Sequence, residues 1–266
     1  MPPTPADETI LEMNSGDELN REGIERAQRL IGALIYISTT CRPDIAHAVY
    51  RCATYMSKPN SKVWSAALRI LGYLLNTAQK GITYDGRSVP GDDLSALHAP
   101  FGPTGADARA KGHLHLVSDA NWEVARSISG YAIMYAGAAL TWSCKRQPAT
   151  ALSSTEAETY SASAAAAELL WERELMAELG ETPPGPSTLW VDNAGAVAVA
   201  QDVQSVGRSR HIARRAHFLH DAAEQGAVRV KWLSTEAMAA DVLTKPLDAK
   251  KFVKFSDYLM NTVAGG

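Results

Sequence analysis

Between residues 113 and 247 the hydrophobic period of this chain switches in a fixed order, and that order admits few folds. Three runs alternate apolar and polar residues with period two, as half-buried strands do. They are His113-Leu114-His115-Leu116-Val117-Ser118-Asp119, Gly130-Tyr131-Ala132-Ile133-Met134-Tyr135 and Ala139-Leu140-Thr141-Trp142-Ser143-Cys144, joined by short turns as in an antiparallel meander. A long helix is expected over about 154–179, closed by Gly180 and the Pro183-Pro184 pair. Residues 187–192 read as a short apolar strand running into an alanine-rich helix, and 212–225 as a further helix ending at Gly226. Residues 227–233 read as the last strand, and a last helix is expected to begin near Ala237. The order is β-β-β-α-β-α-α-β-α. It predicts an α/β fold with a mixed five-stranded sheet, because hairpins give antiparallel pairs and helical crossovers give parallel ones.

Upstream the texture is helical. In residues 24–84, Leu30, Leu34 and Ile37 recur at helical spacing, then Ala66, Ile70, Tyr73 and Leu74 after a break at Lys58-Pro59-Asn60. Residues 1–23 form a polar acidic leader, with Asp7, Glu8, Glu12, Asp17, Glu18 and Glu22 against Arg21 alone, and are expected to pack poorly. Residues 85–111 are rich in Gly, Pro and Asp, keep no period and read as a linker. Residues 112–247 then form the mixed domain and 248–266 a C-terminal tail.

A net charge of −3, from 26 Lys and Arg against 29 Asp and Glu, excludes a uniformly basic nucleic-acid coat but hides local asymmetry. Between residues 26 and 80, Arg26, Arg29, Arg42, Arg51, Lys58, Lys62, Arg69 and Lys80 face Asp44 alone. Such a stretch reads either as solvated helix faces or as a phosphate-contacting surface. Cys41, Cys52 and Cys144 are scattered and form no C-x-x-C pair, which suits a reducing, intracellular compartment. No signal peptide is legible, and no apolar run approaches the roughly 18 residues that span a bilayer. The expectation is a soluble cytoplasmic or nuclear protein without membrane contact.

Four acids stand at element ends. Asp119 closes the first strand and Asp192 the fourth, Glu158 lies in the first turns of the long helix, and Asp241 in the first turns of the expected last helix. In this order the first and fourth strands can lie side by side, bringing Asp119 and Asp192 to one edge, and two helices can each add an acid. Like charges at close range raise one another's pKa, and divalent ions remove that cost. Hard oxygen ligands suit Mg²⁺. Taken singly, each acid also fits an ordinary turn, cap or helix-dipole role. Glu156 competes with Glu158, since residues two apart on a helix point about 200° apart. Ser153 with Glu156 and Thr155 with Glu158 both fit the capping-box spacing, so spacing leaves the choice open.

The wording around the acids adds a resemblance. Trp142-Ser143-Cys144-Lys145-Arg146-Gln147, Leu152-Ser153-Ser154-Thr155-Glu156-Ala157-Glu158, Val191-Asp192-Asn193 and Ala240-Asp241-Val242-Leu243-Thr244-Lys245-Pro246-Leu247 resemble the ribonuclease H domain of copia-type retrotransposon polyproteins. Ser118-Asp119-Ala120-Asn121-Trp122, Arg126-Ser127-Ile128-Ser129-Gly130-Tyr131, Arg210-His211-Ile212 and His217-Phe218 fit the same pattern. Upstream, Ile31-Gly32-Ala33-Leu34-Ile35-Tyr36, Cys41-Arg42-Pro43-Asp44-Ile45-Ala46 and Ala67-Leu68-Arg69-Ile70-Leu71-Gly72-Tyr73-Leu74 look like the segment joining reverse transcriptase to that domain. No Tyr-x-Asp-Asp polymerase motif occurs, so the chain is expected to be the C-terminal end of such a product, with a separate polymerase-bearing chain as a candidate partner.

The resemblance implies a ribonuclease H-like fold and hydrolysis of the RNA strand of RNA/DNA hybrids. It implies Asp119, Glu158, Asp192 and Asp241 as ligands of two Mg²⁺ ions, with Mn²⁺ as the alternative ion, and it favours Glu158 over Glu156. The family usually has Asp-Ala-Asp-Trp and Glu-Tyr where this chain has Asn121 and Thr159, departures that put activity in doubt. No histidine stands in residues 233–238, so proton transfer to the leaving group has no evident agent.

Between Gly207 and His220 lie Arg208, Arg210, His211, Arg214, Arg215, His217 and no acid. With Lys145 and Arg146, the residues Arg208, Arg210, His211, Arg214 and Arg215 are candidates for contact with the hybrid backbone. The histidine spacing does not present a zinc site, and neither a Gly-x-Ser-x-Gly elbow nor a phosphate-cradling glycine loop occurs. The competing reading is a non-catalytic remnant that binds nucleic acid or protein; an integrase of the same fold fits the order of acids less well.

Overall fold

The computed structural model of the protein describes residues 2–84, 114–123, 126–202 and 210–262, with backbone alone at 210 and 211. The segment expected as a linker, 85–111, lies outside them. Strands β1 (His115–Asn121), β2 (Ile128–Tyr135) and β3 (Ala138–Arg146) form the antiparallel meander. Ala136 and Gly137 link β2 to β3 with φ of 48° and 87°, the two positive values that a tight hairpin turn matching the strand twist requires. Strand β4 (Ser187–Val191) runs parallel to β1, and β5 (Val228–Trp232) parallel to β4, so the sheet order is β3-β2-β1-β4-β5. The mixed five-stranded α/β fold expected from the sequence is present.

Both faces of the sheet are buried over β1, β2 and β4, and the period-two alternation divides them. Leu116, Tyr131, Ile133, Leu189 and Val191 pack under helices α4 (Ser154–Glu178), α5 (Ala194–Gln201) and α6 (Arg210–Glu224). On α4 the contact side is Ala162, Ala165, Ala166 and Leu169, small enough to let the helix lie close to the strands. Val117, Ala132, Met134 and Trp190 point the other way, into a core shared with the N-terminal helices and the last helix. Those are α1 (Arg21–Thr40), α2 (Ala46–Ala53), α3 (Ser61–Asn76) and α7 (Ala249–Met260). No helix among the described residues is long and apolar enough to cross a membrane.

The expected last helix near Ala237 is not an α-helix. Residues Thr235–Ala237 and Ala239–Leu243 form two 3-10 turns, and the helix proper begins at Ala249. Pro246 supplies the reason, because it lacks an N–H and disfavours helical geometry at Lys245. Asp248 then caps α7 by accepting from the N–H groups of Lys250 and Lys251 at 3.0 Å. The tail therefore carries a packed element, with Phe252, Phe255, Tyr258, Leu259 and Met260 buried.

The acidic leader also packs, against expectation. Its 3-10 segment Glu8–Ser15 buries Ile10 and Met13, and the Asn60 side chain donates to the Met13 carbonyl at 2.6 Å. Its acids account for much of the basic stretch. Asp7 pairs with Arg69 at 2.6 Å, Glu12 with Lys62 at 3.6 Å, Glu18 with Lys58, and Glu22 with Arg26. Arg51 meets Glu123, Lys80 meets Asp257, and Arg42 meets Asp44. Seven of the eight basic residues are thus paired with acids, five of those acids distant in sequence.

One of these pairs anchors the two halves of the molecule. Arg42 grips buried Asp44 with two bonds of 2.9 and 2.8 Å and also donates to the Thr77 carbonyl and hydroxyl at 3.1 and 2.8 Å. Tyr73 donates to Asp44 at 2.6 Å, and its ring meets Phe252 of α7 edge-on at 5.7 Å. Lys80 completes the seat of α7 by donating to Ser256 at 2.9 Å and pairing with Asp257 at 2.7 Å. Removing one partner of a buried pair strands the other charge, so Asp44→Ala is expected to cost about 3–5 kcal/mol in urea unfolding. A loss below 1 kcal/mol would show that the pair is dispensable.

Candidate metal centre

Strand direction brings the acids together. β1 and β4 are parallel with Ser118 opposite Val191, so Asp119 and the following Asp192 leave the sheet at the same edge. Asn193 then caps α5 by accepting from the Ala196 N–H at 3.1 Å, which ends the strand just after Asp192. Asp119 is 2 % exposed. It has the parity of Val117 and faces the turn Ala239–Leu243, where Asp241 is fully buried.

Gly130 permits that approach. It is the β2 partner of Asp119, and a Cβ there would lie 2.6 Å from Thr244 Cγ2 and 2.7 Å from Leu243 Cβ. With only hydrogens at this position the turn sits directly on β2. The Thr244 hydroxyl then donates to Asp119 Oδ2. Single carboxylate oxygens of Asp119, Asp192 and Asp241 consequently lie within 4.8 Å of one another.

Glu158 reaches the same place from α4. Its Oε1 accepts from the Ala120 N–H at 3.1 Å, while the buried Oε2 has no hydrogen-bond partner. Burial, with Asp119 and Asp192 nearby, pushes this carboxyl up to about 9. Burial likewise raises Asp119 to about 6, against the pull of Lys245. Glu156 turns away from the cluster. Its N–H donates to the Ser153 hydroxyl at 3.2 Å and its carboxylate accepts from the Leu152 N–H at 2.9 Å, a capping arrangement.

Two lysines face Asp241. Lys245 Nζ lies 2.8 Å from Oδ1 and Lys251 Nζ 3.0 Å from Oδ2, while Lys245 is also 3.8 Å from Asp119 Oδ2. Each Asp241 oxygen therefore has one ammonium at ion-pair distance. Asp192 is held at the rim by the Thr235 hydroxyl at 3.1 Å. Hard carboxylate oxygens, an orphaned buried Glu158 oxygen and mutual repulsion are together the donor set that a divalent cation satisfies.

Sequence reading assigned no role to several supporting residues. Gln147 is buried and donates to the Ser129 hydroxyl and the Ala157 carbonyl, both at 2.9 Å, fixing the start of α4 beside the sheet. Thr244 and Lys245 stand in a quoted motif, but only their contacts reveal their part. Lys251 lies on another element, and no spacing rule would have found it. Asn121 bonds Glu123 at 3.3 Å and the Thr159 hydroxyl donates to the Thr155 carbonyl at 2.8 Å, so each departure has a local partner outside the cluster.

The candidate backbone contacts divide into two groups. Lys145 and Arg146 are exposed at the end of β3, in register through Ser129 and Ile128 with Ala120 and Asn121, two strands or about 10 Å from β1. On α6, Arg214 is exposed and Arg215 lies 3.8 Å over the Tyr160 ring. With Gln147, Ala151, Glu156 and Tyr160 they line a groove of about 480 Å³. Glu156 and Tyr160 lie two positions before and after Glu158 on α4, so the groove runs along the helix face turned away from Glu158. Arg208 lies outside the described residues, as do the side chains of Arg210 and His211.

No family model matches the chain. It is 34 % identical over 231 residues to the retrovirus-related Pol polyprotein from transposon RE2 of Arabidopsis thaliana, spanning 85 % of this chain and 14 % of that one. Similarity to the retrovirus-related Pol polyprotein from transposon TNT 1-94 of Nicotiana tabacum is 30 % over 222 residues, 84 % of this chain and 15 % of the relative. The chain therefore spans only a small part of these relatives. A solved N-terminal ribonuclease H domain from Mycobacterium tuberculosis aligns with a TM-score of 0.37 and 13 % identity, over 50 % of this chain and 90 % of that one.

The charge balance makes metal-free stability pH-dependent. With Glu158 raised from 4.5 to about 9, the folded chain keeps a proton that the unfolded chain has lost across that window. Stability therefore falls as pH rises towards 9. Burial lowers His47 from 6.5 to about 3, a contribution of opposite sign that is complete above pH 6.5. Melting in chelator from pH 7 to 9 should show a declining midpoint that Glu158→Gln flattens and Mn²⁺ reverses in wild type; a flat wild-type profile refutes this account. Gly130→Ala should cost about 1–3 kcal/mol by displacing the turn of Asp241, and retention of wild-type stability and metal affinity would contradict it.

Proposed function

On the premise that this chain belongs among the homologues of copia-type retrotransposon Pol polyproteins, we propose that it is a ribonuclease H acting within reverse transcription. It would hydrolyse the RNA strand of RNA/DNA hybrids. The observation that carries this reading is the convergence of Asp119, Asp192 and Asp241 within 4.8 Å, with Glu158 orphaned beside them.

Asp119, Glu158, Asp192 and Asp241 would hold two Mg²⁺ ions, or Mn²⁺ in their place. When bound, such a pair supplies a clamp on the attacking and leaving oxygens of a phosphodiester. The chain's own residues do the positioning. Thr244 orients Asp119, Thr235 orients Asp192, and the Ala120 N–H orients Glu158. Lys145, Arg146, Arg214 and Arg215 would offer cations to the hybrid backbone. Recognition would follow hybrid shape and the RNA 2′-hydroxyl rather than base sequence. Arg208, Arg210 and His211 extend the same basic run, and a separate polymerase-bearing chain is the natural supplier of the hybrid.

Incubation of the full chain with an end-labelled RNA/DNA hybrid and Mg²⁺ should release shortened RNA and leave DNA intact. Asp192→Asn and Glu158→Gln are expected to lower the rate by about a hundredfold or more, the scale of several kcal/mol of lost charge stabilisation. Glu156→Gln should retain most of the rate and lose some helix stability. Folded wild type that binds hybrid but leaves RNA uncut would overturn the enzyme reading in favour of a non-catalytic binding remnant.

A further inference from the structure

Lys245 has no part in the proposed function, yet its ammonium lies 2.8 Å from Asp241 Oδ1 and 3.8 Å from Asp119 Oδ2. Those carboxylates belong to the triad whose oxygens lie within 4.8 Å of one another. An ion about 2.1 Å from oxygens of Asp119 and Asp241 would fall next to that nitrogen. Two cations cannot share so small a volume, because their repulsion is poorly screened among buried groups.

The two lysines on Asp241 differ in what they can do. Lys251 reaches Oδ2 alone, its side chain is 20 % exposed, and its ammonium also sits 5.5 Å over the Phe255 ring. Lys245 spans two acids, and its side chain is 32 % exposed at the mouth of the cluster. A flexible four-carbon stem lets its well-hydrated ammonium move into solvent while the backbone stays fixed. We infer that Lys245 is the cluster's resident counter-cation: it holds the place of a divalent ion, and metal loading exchanges its ammonium for that ion. This rests on the metal-centre reading above. Lys251 stays on Asp241 throughout, whereas the displaced Lys245 ends at the rim where the scissile phosphate would enter.

The exchange sets metal affinity, which calorimetry measures without any cleavage. Titration of the full chain with Mg²⁺ and Mn²⁺ at pH 7.5 should show Lys245→Met binding about tenfold more tightly than wild type or better. Lys245→Arg, which keeps a competing cation, should stay within about threefold. Lys254→Met is the control, because Lys254 donates to the Glu236 carbonyl at 3.0 Å and contacts none of the acids. It should change affinity by less than about twofold. Metal-free melting should fall for Lys245→Met and recover on saturation; if that variant does not fold, Lys245→Gln carries the same expectations.

Unchanged or weaker binding by Lys245→Met, or an equal gain from Lys254→Met, overturns the inference while leaving the metal centre standing. Failure of wild type and every folded variant to bind either ion overturns both.

Discussion

Parallel pairing of β1 with β4 is the constraint on which the acidic edge depends. Parallel neighbours require a crossover, and here α4 provides it between the ends of β3 and β4. Because β1, β3, β4 and β5 all point the same way, their C-terminal ends lie along one edge. Asp119 and Asp192 emerge there, α4 starts there with Glu158 in its second turn, and the turn with Asp241 follows β5. An antiparallel β4 would place Asp192 at the opposite edge.

Bringing carboxylates together costs stability, and the surrounding residues offset that cost in graded ways. Burial pushes the Glu158 carboxyl towards its neutral form, Asp119 accepts from Thr244, and Asp241 is flanked by Lys245 and Lys251. The last of these couples the site to the remainder of the chain. Lys251 sits on α7, which rests on Tyr73, Lys80 and the Arg42–Asp44 pair of the N-terminal helices. Those helices are thus part of the scaffold that presents Asp241.

The sheet, its helical crossover and the approximate element limits were legible because they rest on local periodicity. Leu116 and Val117, or Ile133 and Met134, enter opposite cores as period-two alternation demands. The leader was misread because Ile10 and Met13 are too few to show a period, yet Asn60 and α3 give them a surface to cover. The helix expected near Ala237 is instead a pair of 3-10 turns, with Pro246 separating them from α7. The basic stretch looked open because its partners, Asp7, Glu12 and Glu18 among them, lie tens of residues away.

What the sequence determined by itself was the order of strands and helices and the presence of an acid at four of their ends. Hydrophobic period and chain-terminating residues act over a few positions, so they survive in one dimension. Tertiary structure decided which acid of α4 faces the sheet, that Gly130 must lack a side chain, and that Lys245 and Lys251 stand against Asp241. Each of those depends on distances of a few ångströms between residues remote in sequence. Such distances are set only once β1 and β4 pair and α7 docks, because electrostatic and steric terms act through space and not along the chain.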